Sequence, residues 1–385
     1  MRLLRSRSRR LQRLGLAAWA TALAFLASGP SSALPASAQP APVTGWGYGF
    51  QVQLWHLSQD AKTQIIGQAK LAGFNWVTHQ IEWNAVEINP GEFDWTEPDA
   101  IVNTAAAAGL NVMLSVQHAP VFYIADPTNG VMPADPSTFG TFMQTIASRY
   151  AGRVQAYELW NEENLAREAG VGNVDPATYL PLLEAGYTGM KAGDPNALGL
   201  LGAPSPTGAN IEGFSIDDIT YLQNLYAING GEVIGYFDAM SAHPSGFSNP
   251  PDCTPDTPEC SLSGGWNNDP SFFPFYRLSQ YYDVMNANGD GGKTIWLTEF
   301  GYCSNPAPPP GYEYCASVSE DAQARFLVQA FQMARQLPYV TAMFQFNLDF
   351  QLAVPPTDEK WGFGIMRSNW SGRPAYYGLA AMPKV

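Results

Sequence analysis

VQAYELWNE, residues 154–162, and TIWLTEFG, residues 294–301, carry most of the information about the fold. Each is a mostly apolar run that reaches a glutamate, Glu162 or Glu299, where a β-strand is expected to give way to a loop. The two glutamates are far apart in the chain. If both strands belong to one parallel barrel, however, their carboxyl ends lie at the same rim and the two side chains can face each other.

Around these two runs the chain alternates strand-like and helix-like segments eight times. Helices begin at Asp, Ser, Thr or Pro signals and end at Gly or Asn, and most strands are apolar runs that suit a covered parallel sheet. Strands are predicted at 46–54, 74–83, 110–117, 154–160, 198–203, 237–242, 294–298 and 340–346. Helices are predicted at 60–72, 97–108, 136–150, 176–192, 216–229, 273–288, 320–337 and 374–381.

Eight such units predict the α/β class and a single (β/α)8 TIM barrel with long βα loops. A doubly wound open sheet is the alternative, and it is disfavoured because no Gly-rich phosphate loop follows any strand. The longest predicted loops, 119–135, 244–272, 301–319 and 347–374, all follow strands, on the side of a barrel where sites are built.

The first 38 residues have the pattern of a secretory signal peptide. Six arginines precede an apolar stretch at 14–27, and Ala36-Ser37-Ala38 is a small-residue cleavage site. A membrane anchor is the alternative, but the apolar stretch is shorter than the ~20 residues that a spanning helix needs. We therefore predict a secreted protein cleaved after Ala38, a linker at 39–45 and one catalytic domain at 46–385.

The net charge of the chain excludes some classes of binding partner. Six of the 20 basic residues and none of the 34 acidic ones lie in the predicted signal peptide, so the formal charge after its removal is −20. Such an acidic surface argues against nucleic acid or an anionic membrane as a partner and favours a soluble monomer that acts on a neutral substrate.

The four cysteines form two local pairs, Cys253 with Cys260 and Cys303 with Cys315. In an exported protein such pairs predict two disulfides, which here would stiffen two of the long loops. A zinc site is the alternative, but the spacings lack the close ligand pairs of zinc sites and histidine is scarce. No metal or cofactor is predicted.

Strand alternation gives a first test of which carboxylates face the barrel interior. Glu299 shares a face with Leu297 and Ile295, which suggests that all three point inward. Glu158 shares a face with Glu162 but lies roughly 13 Å deeper at ~3.3 Å per residue, so a buried structural role is expected for it.

Two motifs resemble those of a known group of enzymes. Trp160-Asn161-Glu162 after the fourth strand and Thr298-Glu299-Phe300-Gly301 after the seventh resemble the signature of clan A glycoside hydrolases, which are retaining (β/α)8 enzymes. Within that clan, the chain resembles families 39 and 5 and bacterial exopolysaccharide hydrolases. The resemblance implies that Glu162 is the acid/base, that Asn161 binds the sugar 2-hydroxyl and that Glu299 is the nucleophile.

The chain also departs from that clan. Thr78-His79-Gln80 stands where an Arg is common, and Phe346 stands where a Trp platform is usual. Further substrate contacts are predicted for His243, Trp361, His118, Gln80, Trp55 and Phe346. For His118 and Trp55 a structural role is the alternative. Three more acidic residues, Glu82, Glu87 and Glu163, are expected to be loop or rim charges.

The resemblance predicts a secreted retaining hydrolase of O-glycosidic bonds in a poly- or oligosaccharide. A transglycosylase with the same two glutamates and a non-catalytic carbohydrate-binding barrel are the alternatives. The chemistry requires an ionised Glu299, with His243 as the candidate donor beside it. It also requires a protonated Glu162, and we expect the negative charge of Glu299 to raise the pKa of Glu162.

Overall fold

The structure, a computed structural model, describes residues 45–257, 260 and 269–384. The predicted signal peptide lies outside the described residues, and the division of the chain into signal peptide, linker and domain stays a prediction. In the described part, no helix is long and apolar enough to cross a membrane.

Eight parallel strands form one sheet, which confirms the predicted barrel. The strands run in the order β7-β6-β5-β2-β1-β10-β9-β8, and a parallel bridge between Leu200 and Ala239 joins the two ends. The remaining two strands, β3 and β4, pair as an antiparallel hairpin that the sequence did not predict. The strands are β1 Gly47–Gln51, β2 Trp76–Glu82, β3 Glu87–Asn89, β4 Glu92–Phe93, β5 Asn111–Gln117, β6 Ala156–Leu159, β7 Leu198–Leu201, β8 Met240–Ala242, β9 Ile295–Phe300 and β10 Val340–Gln345.

All eight predicted helices also form, and most of their ends lie within one or two residues of the predicted ends. They are α1 Gln59–Leu71, α3 Thr96–Ala107, α4 Pro136–Arg149, α6 Pro176–Gly193, α7 Asp218–Ala227, α8 Pro274–Ala287, α9 Glu320–Ala334 and α12 Pro374–Ala381. Four short helices in the βα loops were not predicted: α2 Trp83–Val86, α5 Ala166–Ala169, α10 Phe350–Ala353 and α11 Glu359–Phe363. Side-chain caps start several of the long helices, as at Ser58 and Asp175, whose oxygens accept backbone N–H groups.

The interior of the barrel changes from apolar to polar along its axis. Its lower part is filled by a separate apolar cluster in which Trp76 and Trp296 meet edge to face at 5.1 Å. Above this apolar cluster, the buried side chains inside the barrel are polar: Gln51, Ser115, Glu158, Ser241, Thr298 and Gln345. The polar layer lies toward the carboxyl ends of the strands, where the candidate site begins.

Candidate active site

A cavity of about 400 Å³ opens at the carboxyl ends of the barrel strands. Its walls come from the ends of β2, β5, β6, β8, β9 and β10 and from the loops that follow. Charged and aromatic side chains dominate the lining: Glu82, His118, Glu162, Arg167, Glu168, His243, Phe247, Glu299, Phe300, Tyr312, Tyr314, Phe346, Glu359, Lys360 and Phe363.

Neither central glutamate reaches this cavity by simple strand alternation. Ile295 and Leu297 pack outward with side chains from the helices, so the expectation that they share an inward face with Glu299 is wrong. The register of β9 against β10 shifts between Leu297 and Phe300. This irregularity places one extra residue in β9 and turns Glu299 into the cavity.

The end of β6 uses a different device. The strand ends at Leu159, and both Trp160 and Glu162 have positive φ, 86° and 42°. Trp160 therefore turns outward and packs against Phe139 of α4, while Glu162 lies in the cavity. Positive φ is uncommon for residues with a side chain, and it is often found where a functional group must be aimed.

Glu162 is buried and has a cation at each carboxylate oxygen. His243 Nδ1 lies 3.3 Å from Oε1, and the guanidinium of Arg167 forms an ion pair with Oε2. Burial acts to raise the pKa of Glu162, but the hydrogen bond from His243 and the charges of Arg167 and His243 outweigh it and lower the pKa to about 2.

Glu299 has weaker partners. Gln80 Nε2 donates to Oε1 at 3.3 Å, and His243 Nδ1 lies 4.0 Å from Oε2. Burial raises the pKa of Glu299 to about 7, with the charge of His243 acting against it and the charges of Glu162 and Glu158 adding to it. The two shifts run opposite to the expected ones, because Arg167 and His243 both favour the ionised form of Glu162.

His243 lies between the two glutamates. Burial acts to lower its pKa, but the charge of Glu299 and the hydrogen bond to Glu162 raise the pKa to about 9, so the ring is cationic at neutral pH. Nε2 is buried and has no hydrogen-bond partner among the described residues. The predicted donor role of His243 toward Glu299 thus has a physical basis in charge, although its hydrogen bond goes to Glu162.

A second histidine repeats this arrangement at the rim. His118 Nδ1 lies 2.5 Å from Glu82 Oε2, and Nε2 lies 2.9 Å from Glu168 Oε2. Burial acts to lower the pKa of His118, but the hydrogen bonds to the two carboxylates raise it to about 10. Glu168 also lies 3.5 Å from Arg167 Nε, so the rim network is continuous with the partner of Glu162.

Two of the expected rim charges are buried instead. Glu163 is fully buried, with no hydrogen-bond partner for either carboxylate oxygen among the described residues, and burial raises its pKa well above the usual value. Glu87 is buried and accepts from Trp83 Nε1 at 2.6 Å and from the Tyr123 hydroxyl at 2.8 Å. Glu158 is buried as expected, and burial raises its pKa.

The other predicted contact residues divide into two groups. Asn161, His118, Gln80 and Phe346 line the cavity together with the two glutamates and His243. Trp55 and Trp361 are not among the described residues that line it. The indole of Trp55 donates to the Gln80 carbonyl at 3.1 Å, and Arg373 lies over the ring of Trp361 at 5.3 Å.

Both predicted disulfides form, Cys253–Cys260 and Cys303–Cys315. The second closes the loop after β9, and two tyrosines within that loop, Tyr312 and Tyr314, line the cavity. Among the residues that the structure describes, no cluster of three or more His, Cys, Asp or Glu side chains could hold a metal ion.

Arg167 and Glu168 are the site residues that the sequence did not reveal. They belong to α5, a four-residue helix without a side-chain cap, and neither forms part of a recognisable motif. The one available signal was the position of Arg167, five residues after Glu162 and in the same βα loop.

Comparisons with known proteins bear on the family and the fold. The family model described as "Cellulase (glycosyl hydrolase family 5)" matches residues 36–212. Endo-1,4-beta-xylanase C of Paenibacillus barcinonensis is 32% identical over 102 residues, which cover 23% of this chain and 9% of the xylanase.

Solved structures extend the similarity to most of the barrel. A family 39 glycoside hydrolase from Bacteroides cellulosilyticus WH2 superposes with a TM-score of 0.64 at 20% identity, over 89% of this chain and 64% of that chain. A GH5_18 protein from Bifidobacterium longum gives a TM-score of 0.64 at 13% identity, over 88% and 78% of the two chains.

The chain thus spans less than two thirds of the length of the xylanase and of the family 39 enzyme. The resemblance to clan A glycoside hydrolases is confirmed at the level of the fold: residues 36–212 match the family 5 model, and the solved clan members share the (β/α)8 barrel of this chain.

Proposed function

We propose that the protein is a secreted retaining glycoside hydrolase that cleaves O-glycosidic bonds in a poly- or oligosaccharide. Glu299 is the nucleophile and Glu162 is the acid/base. The observation that carries the proposal is the convergence of both carboxylates on one nitrogen, His243 Nδ1, at 3.3 and 4.0 Å. The two oxygens concerned, Oε1 of Glu162 and Oε2 of Glu299, cannot be further apart than the sum of these two distances, which brings the carboxylates within reach of one sugar ring.

In the first step the Glu299 carboxylate attacks the anomeric carbon and the glycosidic C–O bond breaks. Glu162 gives its proton to the departing oxygen, and a glycosyl ester forms on Glu299. In the second step the Glu162 carboxylate takes a proton from water, the resulting hydroxide attacks the anomeric carbon, and Glu299 leaves as a carboxylate.

This cycle starts from a pair that holds one proton. The two carboxylates interact closely, so the proton belongs to the pair, and the productive arrangement has it on Glu162. Cationic His243 stabilises an ionised Glu299 at 4.0 Å, although its hydrogen bond to Glu162 favours the ionised form of that carboxyl as well. Asn161 is buried in the cavity wall, and we assign it the hydrogen bond to the sugar 2-hydroxyl.

Secretion is part of the proposal. Two disulfides are compatible with an extracellular protein, and the predicted signal peptide supplies the route of export. The net negative charge of the chain favours an uncharged polysaccharide as the substrate.

A polysaccharide panel tests the proposal. Residues 39–385 would be incubated with glucans, xylans, mannans, arabinans and bacterial exopolysaccharides, and new reducing ends would be measured. The matched control is Glu299→Gln, which keeps the size of the side chain and removes the nucleophile. NMR of the first product should show the anomeric configuration of the substrate. Inverted product, or full activity in Glu299→Gln, would contradict the proposal.

A further inference from the structure

The Arg167 side chain is at once exposed and paired with a buried carboxylate. It is 61% exposed, whereas the side chain of Glu162 is 10% exposed. Arg167 lines the cavity mouth from α5, so it approaches Glu162 from the side that solvent and substrate share.

The ion pair between Arg167 and Glu162 keeps the proposed acid/base from acting as an acid. His243 contacts Oε1 of Glu162 and Arg167 contacts Oε2, so each carboxylate oxygen already faces a cation where the acid step would need a proton. A carboxylate in contact with a permanently charged guanidinium also resists protonation. Because His243 is buried and Arg167 is exposed, Arg167 is the partner that can leave without opening the core.

A second acceptor for Arg167 lies next to it. Glu168 Oε1 is 3.5 Å from Arg167 Nε, and the other oxygen of Glu168 is held by His118. A guanidinium that leaves Glu162 can therefore remain paired while it moves aside. Because the Arg167 side chain is largely exposed, its charge stays in contact with solvent while it exchanges partners, which keeps the cost of the movement low.

On this basis, and resting on the proposed function, we propose that Arg167 is a positioning residue that closes Glu162 in the free enzyme. Substrate bound on the leaving-group side displaces it toward Glu168. The displacement frees Oε2 of Glu162 to take the proton and to face the glycosidic oxygen.

The proton balance needs no external donor. In the free enzyme the proton of the pair resides on Glu299, and after displacement it resides on Glu162, which leaves Glu299 ionised beside cationic His243. The charged and titratable groups that act on Glu162 or on Glu299 come from four other parts of the fold. They are Glu158 and Glu163 at the end of β6, Arg167 and Glu168 of α5, His243 after β8 and, through Glu168, His118 after β5.

Two pH profiles separate the free enzyme from the substrate complex. The profile of kcat/KM reports groups of the free enzyme, and that of kcat reports groups of the complex. In the wild type we expect the acid limb of kcat/KM to lie at least about one pH unit below the acid limb of kcat, because Arg167 holds Glu162 ionised only before substrate binds.

Arg167→Gln should remove this difference. Its acid limb of kcat/KM should rise by about one to two pH units, while the acid limb of kcat should stay where the wild type has it. Arg167→Lys keeps the positive charge and should restore the lower limb. Lys360→Gln removes a positive charge from the same cavity wall without touching Glu162, so it should leave both limbs in place.

The outcomes distinguish this proposal from the proposed function. Coincident acid limbs in the wild type, an unmoved limb in Arg167→Gln, or a folded but inactive Arg167→Gln would each overturn the displacement. Loss of activity in Glu299→Gln would still support the hydrolase in those cases, whereas retained activity there would remove the basis of both proposals. Arg167→Met keeps the aliphatic stem and replaces the Gln variant if circular dichroism shows that the latter is unfolded.

Discussion

The ends of β6 and β9 each supply one glutamate of the central pair, yet the surroundings of Glu162 and Glu299 shift the pKa values of the two carboxyl groups in opposite directions. The side chain of Glu162 is 10% exposed and that of Glu299 is 22% exposed, so burial alone would raise the pKa of Glu162 at least as much. The pKa of Glu162 is instead lowered to about 2, and that of Glu299 is raised to about 7. The difference comes from the neighbours: two cations contact Glu162, while Glu299 has an amide and a more distant cation. Partners therefore decide protonation in this cavity more than depth does.

The largest effects on activity are expected when Glu299 or Glu162 is replaced singly. Glu299→Gln should abolish turnover of every substrate, because no other carboxylate among the described residues is placed to attack the anomeric carbon. Glu162→Ala should lower turnover of polysaccharides by about 10²–10⁴-fold, the usual contribution of a general acid or base. The two variants should therefore differ on aryl glycosides, whose leaving groups need no proton.

Added azide tests the separate roles of Glu162 and Glu299 more directly. In Glu162→Ala a small anion can reach the glycosyl ester, so added azide should partly restore turnover and yield a glycosyl azide with the configuration of the substrate. The same addition to Glu299→Gln should restore nothing by this route. An azide product of inverted configuration from Glu162→Ala would show that the roles of the two glutamates are assigned wrongly.

The alkaline side of the pH profile probes the raised pKa of Glu299. In the free enzyme the last proton of the pair is held by Glu299, so kcat/KM should fall as pH rises through about 7. His243→Asn removes the cation that lowers the pKa of Glu299 and should move this limb upward by about one pH unit. Steady-state rates measured across pH 5–10 check the shift, and a limb that moves downward would contradict the assignment.

The sequence predicted the barrel and the glutamate pair, but it did not predict how the pair is aimed or charged. Apolar runs and capping residues specify β6, β9 and their helices locally, which is why the fold could be predicted from short windows. The aim of Glu299 depends on a register shift against β10, and that of Glu162 depends on positive φ in a loop. The register shift and the positive φ arise from tertiary packing, and the alternation of apolar and polar residues along a strand does not predict them. Arg167 affects Glu162 only because the fold brings the two side chains together. A single arginine in a loop belongs to no sequence motif, so its role could not be predicted.

A smaller effect is expected from the walls beside the two strand ends. The Cys303–Cys315 disulfide closes the loop that places Tyr312 and Tyr314 at the cavity, next to the Glu299 end. Replacing both cysteines by serine should loosen this wall and impair cleavage of polysaccharide several-fold more than that of a small aryl glycoside.

The other disulfide supplies the matched control. Replacing Cys253 and Cys260 by serine should also lower the free energy of unfolding, by roughly 2–4 kcal/mol for a short loop. Because neither cysteine lines the described cavity, this variant should affect large and small substrates alike. Equal losses on both substrates in the Cys303/Cys315 variant would show that its disulfide stabilises the fold without shaping the cleft.

The smallest effect concerns the rim, where His118 lies between Glu82 and Glu168 as His243 lies between the central pair. The pKa of His118 is raised to about 10, so its charge stabilises the folded state fully below the unfolded pKa of ~6.5. This contribution is lost as pH rises through about 10. His118→Gln should therefore lower the free energy of unfolding near pH 6 by about 1–2 kcal/mol, a figure reduced by solvent screening at this half-exposed rim. Above pH 10 the variant and the wild type should unfold at nearly the same denaturant concentration. A stability difference that is independent of pH would show that His118 acts through packing, and the likeness between the two histidines would then be one of geometry alone.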